Sequence, residues 1–313
     1  MALWASDMAS RVDWCDSHAQ APNVVVMGHK VRAYFCCRPA PDESGQFVSL
    51  GSFVDFSSLD PPVIDAYADV PLMELGDLGC FDEFGTYPIS VIRDNDAFIA
   101  YYGGWTRGES VPFDVAIGVA TSNDGRVFSR MGPGPVLAAS ADEPFVITSP
   151  KIRKYGSRWV LAYTAGERWF IESGRPEIIY KLRIAFSDDG LEWQRLNQRI
   201  IPDVLGDDEA QACPDIIFRN GRYHMFFCYR AATDFRRNPS RSYRIGYAVS
   251  DDLIRWERND DLYRIDVSQS GWDSEMVAYP TVFEFNERIY MLYLGNEVGK
   301  SGFGVAVLEG DLA

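Results

Sequence analysis

Residues 214–228 read PDIIFRNGRYHMFFC, with an apolar run on either side of the dipeptide Asn220-Gly221. Asn-Gly between β-branched and aromatic residues is typical of a two-residue hairpin turn. The same form, a proline opening an apolar run, a polar turn and a second aromatic-rich run, occurs five times. The copies begin at Pro22, Pro88, Pro150, Pro214 and Pro280, at intervals of 66, 62, 64 and 66 residues. Such a repeat determines the architecture of the whole chain.

Each repeat predicts four antiparallel strands. The first two form the hairpin, with turns predicted at Gly28-His29, Asp94-Asn95, Tyr155-Gly156, Asn220-Gly221 and Asn286-Glu287. A third strand follows a variable loop, as at residues 114–122, 181–187, 243–250 and 302–310. In the three middle repeats a tight turn then leads to an aromatic residue, Phe128, Trp193 or Trp256, which we interpret as the start of the fourth strand. The sequence therefore predicts an all-β fold, a five-bladed β-propeller of four-stranded antiparallel blades, with residues 1–313 as a single domain.

The fifth repeat ends soon after its third strand. In one interpretation, the stretch around Met1 to Ala5 supplies the missing outer strand and closes the ring. In the other, the fifth blade is short.

Charge and composition exclude several classes of function. The 30 Lys and Arg residues against 45 Asp and Glu residues give a net charge of −15, which argues against non-specific binding to nucleic acid or to an anionic membrane. No apolar run has the length of a membrane span, and the N-terminus lacks the pattern of a signal peptide. The six cysteines show no C-x-x-C spacing, so buried free thiols are expected rather than disulfides or a zinc site. We expect a cytoplasmic protein without nucleic-acid partners or membrane insertion, and no sequence signal specifies its oligomeric state.

Propeller topology places three kinds of segment at one end of the ring, which we name the upper face. They are the starts of the innermost strands, the loops between second and third strands, and the links between blades. The upper loops carry nine cations, Arg38, Arg107, Arg168, Arg175, Arg230, Arg236, Arg237, Arg241 and Lys300. Guanidinium groups suit carboxylate or phosphate, so Arg230, Arg107 and Arg168 are predicted to bind an anionic ligand. The alternative is that exposed loops simply hold solvated arginines.

Acidic residues precede the repeat prolines at similar distances. Glutamates stand five places before the proline in three repeats, at Glu83, Glu209 and Glu275, and other acids lie nearby at Asp16, Asp82, Asp142, Asp208 and Asp273. Carboxylates crowded at the channel mouth raise one another's pKa, as acid/base work on a glycosidic bond requires. We predict Glu275 and Glu209 as the acid and base, Glu83 as a third carboxylate, and Asp273, Asp208, Asp82 and Asp16 as binding residues. Alternatively, these acids pair with the loop arginines or form hydrogen bonds at the blade links.

Aromatic residues complete the predicted site. Tyr87 and Tyr279 directly precede repeat prolines, and Trp272 lies on an upper-face link, so the three are predicted to shape a sugar site. His18 is predicted to bind or to transfer a proton, with a structural role as the alternative. A metal site of Asp16 and His18 would lack further ligands, so no cofactor is predicted, and a structural Ca²⁺ in the channel stays open.

The chain resembles the five-bladed glycoside hydrolase clan that includes invertases, arabinanases, β-xylosidases and, more distantly, the mannoside phosphorylases. The resemblance rests on the proline-led hairpins, on the turn S-D-D-G-L-E-W that ends at Trp193, and on residues 212–218 (ACPDIIF), similar to the invertase signature E-C-P-D-L-F. It implies a saccharide ligand at the channel mouth. Where this clan carries its catalytic acids, the sequence has Ala21, Ser149 and Ala212, so the usual triad is absent.

Two hypotheses about function follow. The first is a carbohydrate-active protein of polysaccharide metabolism, a glycoside hydrolase or a phosphorylase-like enzyme, acting on an anionic or phosphorylated saccharide by carboxylate acid/base chemistry. The second is a non-catalytic glycan-binding or scaffold propeller. Carboxylates facing one another across a solvent-filled cavity would favour hydrolysis, and acids all paired with arginines would favour binding.

Overall fold

The computed structural model describes residues 2–4, 12–206 and 208–313, and these form five four-stranded antiparallel sheets. Blade I contains β2 (Ser17–Met27), β3 (Lys30–Arg38), β4 (Leu50–Leu59) and β5 (Pro62–Tyr67). Blade II contains β6 (Thr86–Asp94), β7 (Ala97–Thr106), β8 (Asp114–Ser122) and β9 (Ser129–Arg130). Blade III contains β10 (Ile147–Tyr155), β11 (Arg158–Glu172), β12 (Arg175–Ser187) and β13 (Gln194–Arg195).

Blade IV contains β14 (Glu209–Arg219), β15 (Arg222–Ala231), β16 (Arg244–Ser250) and β17 (Glu257–Arg258). Blade V contains β18 (Ala278–Phe285), β19 (Arg288–Leu294), β20 (Gly302–Val307) and β1 (Ala2–Trp4). The remaining regular elements are a 3₁₀ helix (Pro239–Arg241) and a helical turn, α1 (Asn296–Gly299). The predicted fold class, a five-bladed β-propeller, is confirmed, whereas the assignment of residues 1–313 to one domain stays a prediction.

The N-terminal strand closes the ring. β1 runs antiparallel to β20 as the outermost strand of blade V, with Leu3 opposite Phe303. The first of the two interpretations of the fifth repeat is therefore correct for residues 2–4, and Met1 and Ala5 lie outside the described residues. Because β1 pairs with the last strand of the chain, each of the five sheets has an outermost strand.

Two hairpin turns lie one residue later than predicted. The turns of blades II and III are Asn95-Asp96 and Gly156-Ser157, rather than Asp94-Asn95 and Tyr155-Gly156. In all five hairpins the first turn residue has a positive φ, which Asn and Gly adopt most easily, so the turn starts at Asn95 and at Gly156.

The hairpin of β11 and β12 is longer than predicted. The segment expected as a variable loop instead continues the ladder to the pair Glu172 and Arg175, and the turn Ser173-Gly174 has positive φ at both residues. Arg168 and Arg175 consequently lie on strands. This ladder is therefore longer than the ladders between the second and third strands of the other four blades.

The described residues include no helix with the length and hydropathy needed to span a membrane. Apolar side chains pack between neighbouring blades, as Phe35 of blade I does against Phe303 of blade V, with ring centroids 5.8 Å apart. This packing holds the five innermost strands around one axis.

Candidate functional site

A cavity of about 890 Å³ opens at the upper face. Its walls come from the starts of the innermost strands, the ends of the second strands and the starts of the third strands. Blade III contributes most through its long hairpin, from which Trp169, Glu177 and Tyr180 line the cavity. The cavity therefore lies at the end of the ring where the topology predicted the chemistry.

The floor of the cavity is built from the residues that precede the repeat prolines. Ser149 and Tyr279 line it with φ of 51° and 53°, and Ala21 and Cys213 take the same left-handed conformation. At each of these residues, and at Tyr87, the innermost ladder shifts register. Such a bulge interrupts the alternation of side chains between the two faces of a strand and changes the direction of a side chain. The side chains of Ser149, Tyr87 and Tyr279 line the cavity at these bulges.

Directly below this floor, the channel is filled by a buried polar cluster. The Lys151 Nζ of blade III lies 3.3 Å from the Pro22 carbonyl oxygen of blade I and 3.6 Å from the Asp215 carboxylate of blade IV. It also hydrogen-bonds the Thr281 hydroxyl of blade V. The cluster joins four blades across the axis, so the cavity ends at the floor.

Four tyrosines line the lower part of the cavity, Tyr87, Tyr180, Tyr243 and Tyr279. The rings of Tyr243 and Tyr279 meet edge-on with centroids 6.1 Å apart. Burial raises the pKa of all four phenols, so they stay neutral at physiological pH. Neutral phenols offer both ring faces and hydroxyl groups to a sugar.

Five guanidinium groups line the cavity, from Arg38, Arg107, Arg175, Arg230 and Arg236, against two carboxylates, Glu177 and Glu297. Glu177 receives hydrogen bonds from Arg236 at 2.6 and 3.2 Å, and the Glu297 carboxylate lies 2.7 Å from the Lys300 Nζ. Both carboxylates are therefore already paired with cations. The lining is net positive in a protein with a net charge of −15, so charge is segregated as predicted.

Arg230 is the most deeply buried of these arginines. Its side chain donates to the Tyr243 hydroxyl at 3.1 Å and to the carbonyl oxygens of Ala231 at 2.9 Å and Ile178 at 3.2 Å, and its guanidinium lies 3.6 Å from the Phe235 ring centroid. Within the described residues it has no carboxylate partner. Its positive charge is therefore held beside the cavity without a counter-ion.

Arg38 and Arg107 both lie near Phe47, in the part of the cavity lining that blades I and II contribute. The Arg107 guanidinium donates to the Phe47 carbonyl oxygen at 3.1 Å and lies 3.6 Å from the exposed Asp42 carboxylate. The Arg38 guanidinium lies 5.4 Å from the Phe47 ring centroid, and its buried Nε has no hydrogen-bond partner among the described residues. A buried donor without an acceptor is rare in folded proteins and needs an explanation.

His18 lines the cavity beside Arg38. It has a φ of 64°, and its Nδ1 lies 2.9 Å from the Ser17 hydroxyl. Burial, together with the positive charges of Arg38 and Lys300, lowers the pKa of His18 from 6.5 to about 4, and Glu297 opposes this shift. The imidazole is therefore neutral at pH 7 and can donate one hydrogen bond and accept another.

The structure brings together only part of the predicted site. Arg230, Arg107, Tyr87, Tyr279 and His18 line the cavity. The other nine predicted residues do not, namely Glu275, Glu209, Glu83, Arg168, Trp272, Asp273, Asp208, Asp82 and Asp16. The three glutamates therefore do not line this cavity, and their catalytic role stays a prediction.

Three buried acids instead pair with an arginine on the outermost strand of their own blade. Asp82 pairs with Arg130 at 2.7 Å and Glu209 with Arg258 at 2.6 Å. Glu143, which the sequence analysis did not single out, lies 2.6 Å from Arg195. In each case the arginine stands two places after the aromatic residue that opens the fourth strand, a sequence signal that points to this pairing.

The remaining predicted residues have local contacts. Asp273 accepts a hydrogen bond from the Tyr293 hydroxyl at 3.0 Å, and Trp272 packs on the Tyr293 ring at 5.2 Å between centroids. Glu83 accepts the Gly79 amide at 2.9 Å. The last four are exposed: Arg168 and Asp208, which form an ion pair, together with Glu275 and Asp16. The alternative that acids pair with arginines or hydrogen-bond at blade links therefore describes Asp82, Glu209, Asp208 and Asp273.

Sequence analysis did not single out Tyr180 and Tyr243, although a signal for them exists. Both stand seven places before the serine that ends the third strand, Ser187 or Ser250. Val115 stands seven places before Ser122 and also lines the cavity. This repeat position therefore faces the cavity in three successive blades. Among the described residues, no group of three or more His, Cys, Asp or Glu side chains is placed to hold a metal ion.

The pairing of Glu209 predicts a structural effect of its substitution. Glu209→Gln removes one of the two carboxylates that pair with the buried Arg258, the other being Asp260 at 2.8 Å. Loss of this buried charge-assisted hydrogen bond should cost about 1 to 3 kcal/mol. Urea denaturation should show this loss, while the exposed Glu275→Gln control leaves the free energy of unfolding nearly unchanged. An unaltered stability of the Glu209→Gln variant would contradict the assignment.

The environment of His18 predicts an unusual titration. The imidazole of His18 is protonated near pH 6.5 in the unfolded chain but only near pH 4 in the folded protein. His18 therefore lowers the free energy of unfolding as the pH falls from 6.5 to about 4. Arg38→Met removes a repulsive charge and should raise the pKa of His18, measured by NMR of the imidazole. Arg222→Met, at the start of β15 and at the opposite end of the ring, serves as the control. An unchanged pKa in Arg38→Met would contradict the proximity of the two groups.

No protein-family model matches the chain. Among solved structures, the chain is similar to one described as "Glycoside hydrolase", with a TM-score of 0.71, 15% identity, and 98% of this chain and 95% of that chain covered. It is also similar to "Crystal structure of a thermostable family-43 glycoside hydrolase", with a TM-score of 0.69, 16% identity, and coverage of 95% and 92%. A third, "Bombyx mori GH32 beta-fructofuranosidase BmSUC1", has a TM-score of 0.63, 14% identity, and coverage of 96% and 64%. These likenesses show that the chain shares the five-bladed propeller fold of glycoside hydrolases.

Two protein sequences are similar over nearly the whole chain. They are "Uncharacterized protein MT1551" of Mycobacterium tuberculosis (strain CDC 1551 / Oshkosh) and "Uncharacterized protein Rv1502" of Mycobacterium tuberculosis (strain ATCC 25618 / H37Rv). Each is 34% identical over 303 residues, which cover 96% of this chain and 96% of the relative. The chain therefore belongs to the same family as these two mycobacterial proteins.

Proposed function

We propose that this propeller is a carbohydrate-active protein that binds an anionic saccharide in the cavity of its upper face. The fold shared with glycoside hydrolases supports a saccharide as the ligand. The proposed site is the cavity itself, because the same end of the ring carries the arginines, the tyrosines and His18.

One observation carries the proposal, the excess of guanidinium groups in the cavity lining. Five arginines face two carboxylates, and both carboxylates already have cationic partners. Guanidinium groups bind carboxylate and phosphate oxygens through charge-assisted hydrogen bonds. A neutral saccharide would leave Arg38 and Arg230 without a counter-ion, whereas an anionic saccharide compensates them.

The aromatic lining supports a sugar as the remainder of the ligand. Trp105 and Trp169 line the walls, and the four tyrosines line the lower part of the cavity. Aromatic faces pack on the apolar faces of sugar rings, and phenol hydroxyl groups hydrogen-bond to the sugar hydroxyl groups.

The compartment proposed is the cytoplasm. All six cysteines, Cys15, Cys36, Cys37, Cys80, Cys213 and Cys228, are free thiols. Free thiols persist in a reducing compartment, which supports this location.

Binding to a panel of saccharides tests the proposed function. Isothermal titration calorimetry of the full chain should show tighter binding of uronic-acid and phosphorylated saccharides than of their neutral counterparts. Arg230→Met should weaken this binding about 10- to 100-fold, because a charge-assisted hydrogen bond is lost. Arg107→Met, on the opposite wall and partly exposed, gives a second variant should Arg230→Met fail to fold.

Arg222→Met is the matched control, since Arg222 pairs with Asp251 at the opposite end of the ring. Its affinity for the same saccharides should equal that of the wild type. Equal affinity of the wild type for neutral and anionic saccharides would refute the proposed function.

Cleavage or transfer of a glycosyl unit is the second candidate, favoured by the fold shared with glycoside hydrolases. Two carboxylates line the cavity, Glu177 from β12 and Glu297 from α1. These carboxylates are better placed for acid/base chemistry than Glu275, Glu209 and Glu83, whose catalytic role stays an untested prediction. The pairing of both cavity carboxylates with cations supports binding over catalysis.

Turnover on a glycan panel distinguishes these candidates. If a glycoside is cleaved or transferred, Glu297→Gln should lower kcat by about 10²- to 10⁴-fold, the usual contribution of a general acid or base. Glu275→Gln, exposed and outside the cavity, should retain full activity. Full activity of Glu297→Gln together with loss in Glu275→Gln would restore the roles predicted from the sequence.

A further inference from the structure

We propose that Arg38, Arg107 and His18 form a subsite for a phosphate group on the wall of the cavity made by blades I and II. The inference rests on the proposed function, since it specifies the anionic group that the cavity accepts. The subsite lies across the cavity from the wall that Arg236 and Glu177 form.

Arg38 is the one cavity arginine whose guanidinium has no acceptor within residues 12–206 and 208–313. Arg107 has the Phe47 carbonyl oxygen, Arg230 has three carbonyl oxygens and a hydroxyl, and Arg175 and Arg236 have Glu177. Arg38 contacts only the face of the Phe47 ring, and its Nε is buried and unpartnered. Among the described residues the other two nitrogens of this guanidinium also have no acceptor, and since Arg38 lines the cavity, an external oxyanion would supply one to them.

The surroundings of Arg38 are cationic or neutral. Arg107 donates to the Phe47 carbonyl oxygen, and its partner Asp42 is exposed at 3.6 Å, so solvent weakens that pair. His18 is faced by Arg38 from β3 and by Lys300 and Glu297 from the segment around α1, where these last two pair with each other. The local charge is therefore positive, and the incoming anion meets little competition.

The arrangement of donors favours phosphate over carboxylate. A carboxylate has two oxygens, which a single guanidinium fork can satisfy. Here two guanidinium groups and an imidazole line the same wall. Arg38 lies at the end of β3, Arg107 directly follows β7, and His18 lies on β2. A phosphate monoester has three terminal oxygens and a charge of about −1.5 to −2 at pH 7, which matches donors arriving from three elements.

Two sources of phosphate share this chemistry, a phosphorylated saccharide and free inorganic phosphate. Calorimetric titration of the full chain with inorganic phosphate, glucose 6-phosphate, glucuronate and glucose separates them. Tighter binding of glucose 6-phosphate than of inorganic phosphate identifies an ester, and the reverse order identifies free phosphate as the ligand.

Arg38→Met should weaken phosphate binding about 10- to 100-fold, while the lower-face control Arg222→Met should bind phosphate like the wild type. A second measurement needs no variant. Saturating inorganic phosphate should raise the pKa of His18 in the wild type, read from its imidazole NMR signals, because an anion beside the ring stabilises its protonated form.

The outcomes separate this inference from the proposed function. Phosphate binding that is insensitive to Arg38→Met, or no phosphate binding and no change in His18, overturns the subsite. If glucuronate still binds more tightly than glucose in that case, the proposed function stands without the subsite. If phosphate binds through Arg38 while glucuronate and glucose 6-phosphate bind no better than glucose, the subsite stands and the proposed function fails.

Discussion

The conformation of the residue before each repeat proline determines which side chains line the floor of the cavity at the upper face. Four of these five residues, Ala21, Ser149, Cys213 and Tyr279, adopt a left-handed backbone that non-glycine residues seldom take. In a regular strand, successive side chains alternate between the two faces of the sheet. The bulge interrupts this alternation, and Ser149 and Tyr279 consequently line the cavity. Below them, Lys151 fills the axis, so the ring holds a cavity that opens only at the upper face instead of a channel through the ring.

The net charge of the cavity lining depends on ion pairs that are buried inside the blades and outside the cavity. Asp82, Glu143 and Glu209 are buried within their blades, each beside an arginine of the outermost strand. A buried carboxylate is tolerated only with such a partner, because the loss of hydration is costly. With these acids held inside the blades, the cavity retains arginines whose charge is only partly compensated. A strongly acidic protein therefore presents a cationic site.

Equal spacing from the prolines identified the fold better than it identified the site. The five hairpins follow the predicted order, because hairpin turns and strand preferences are encoded by neighbouring residues. The same spacing suggested that Glu209 and Asp82 share a catalytic mouth, whereas they share a structural pairing with Arg258 and Arg130. Equivalence in a repeat establishes equivalent position, and the direction of a side chain depends on the strand around it.

The sequence by itself determined the number of blades, the order of their strands and the end of the ring that carries the arginines. These three features follow from the residues of each turn and from the direction of each strand. Both kinds of information are present in the sequence of every repeat. Only the tertiary structure decided which acids meet which arginines, and that Arg38 is left without an acceptor beside His18. Such contacts join residues from different strands and blades, and they depend on side-chain directions that become defined only when the blades pack.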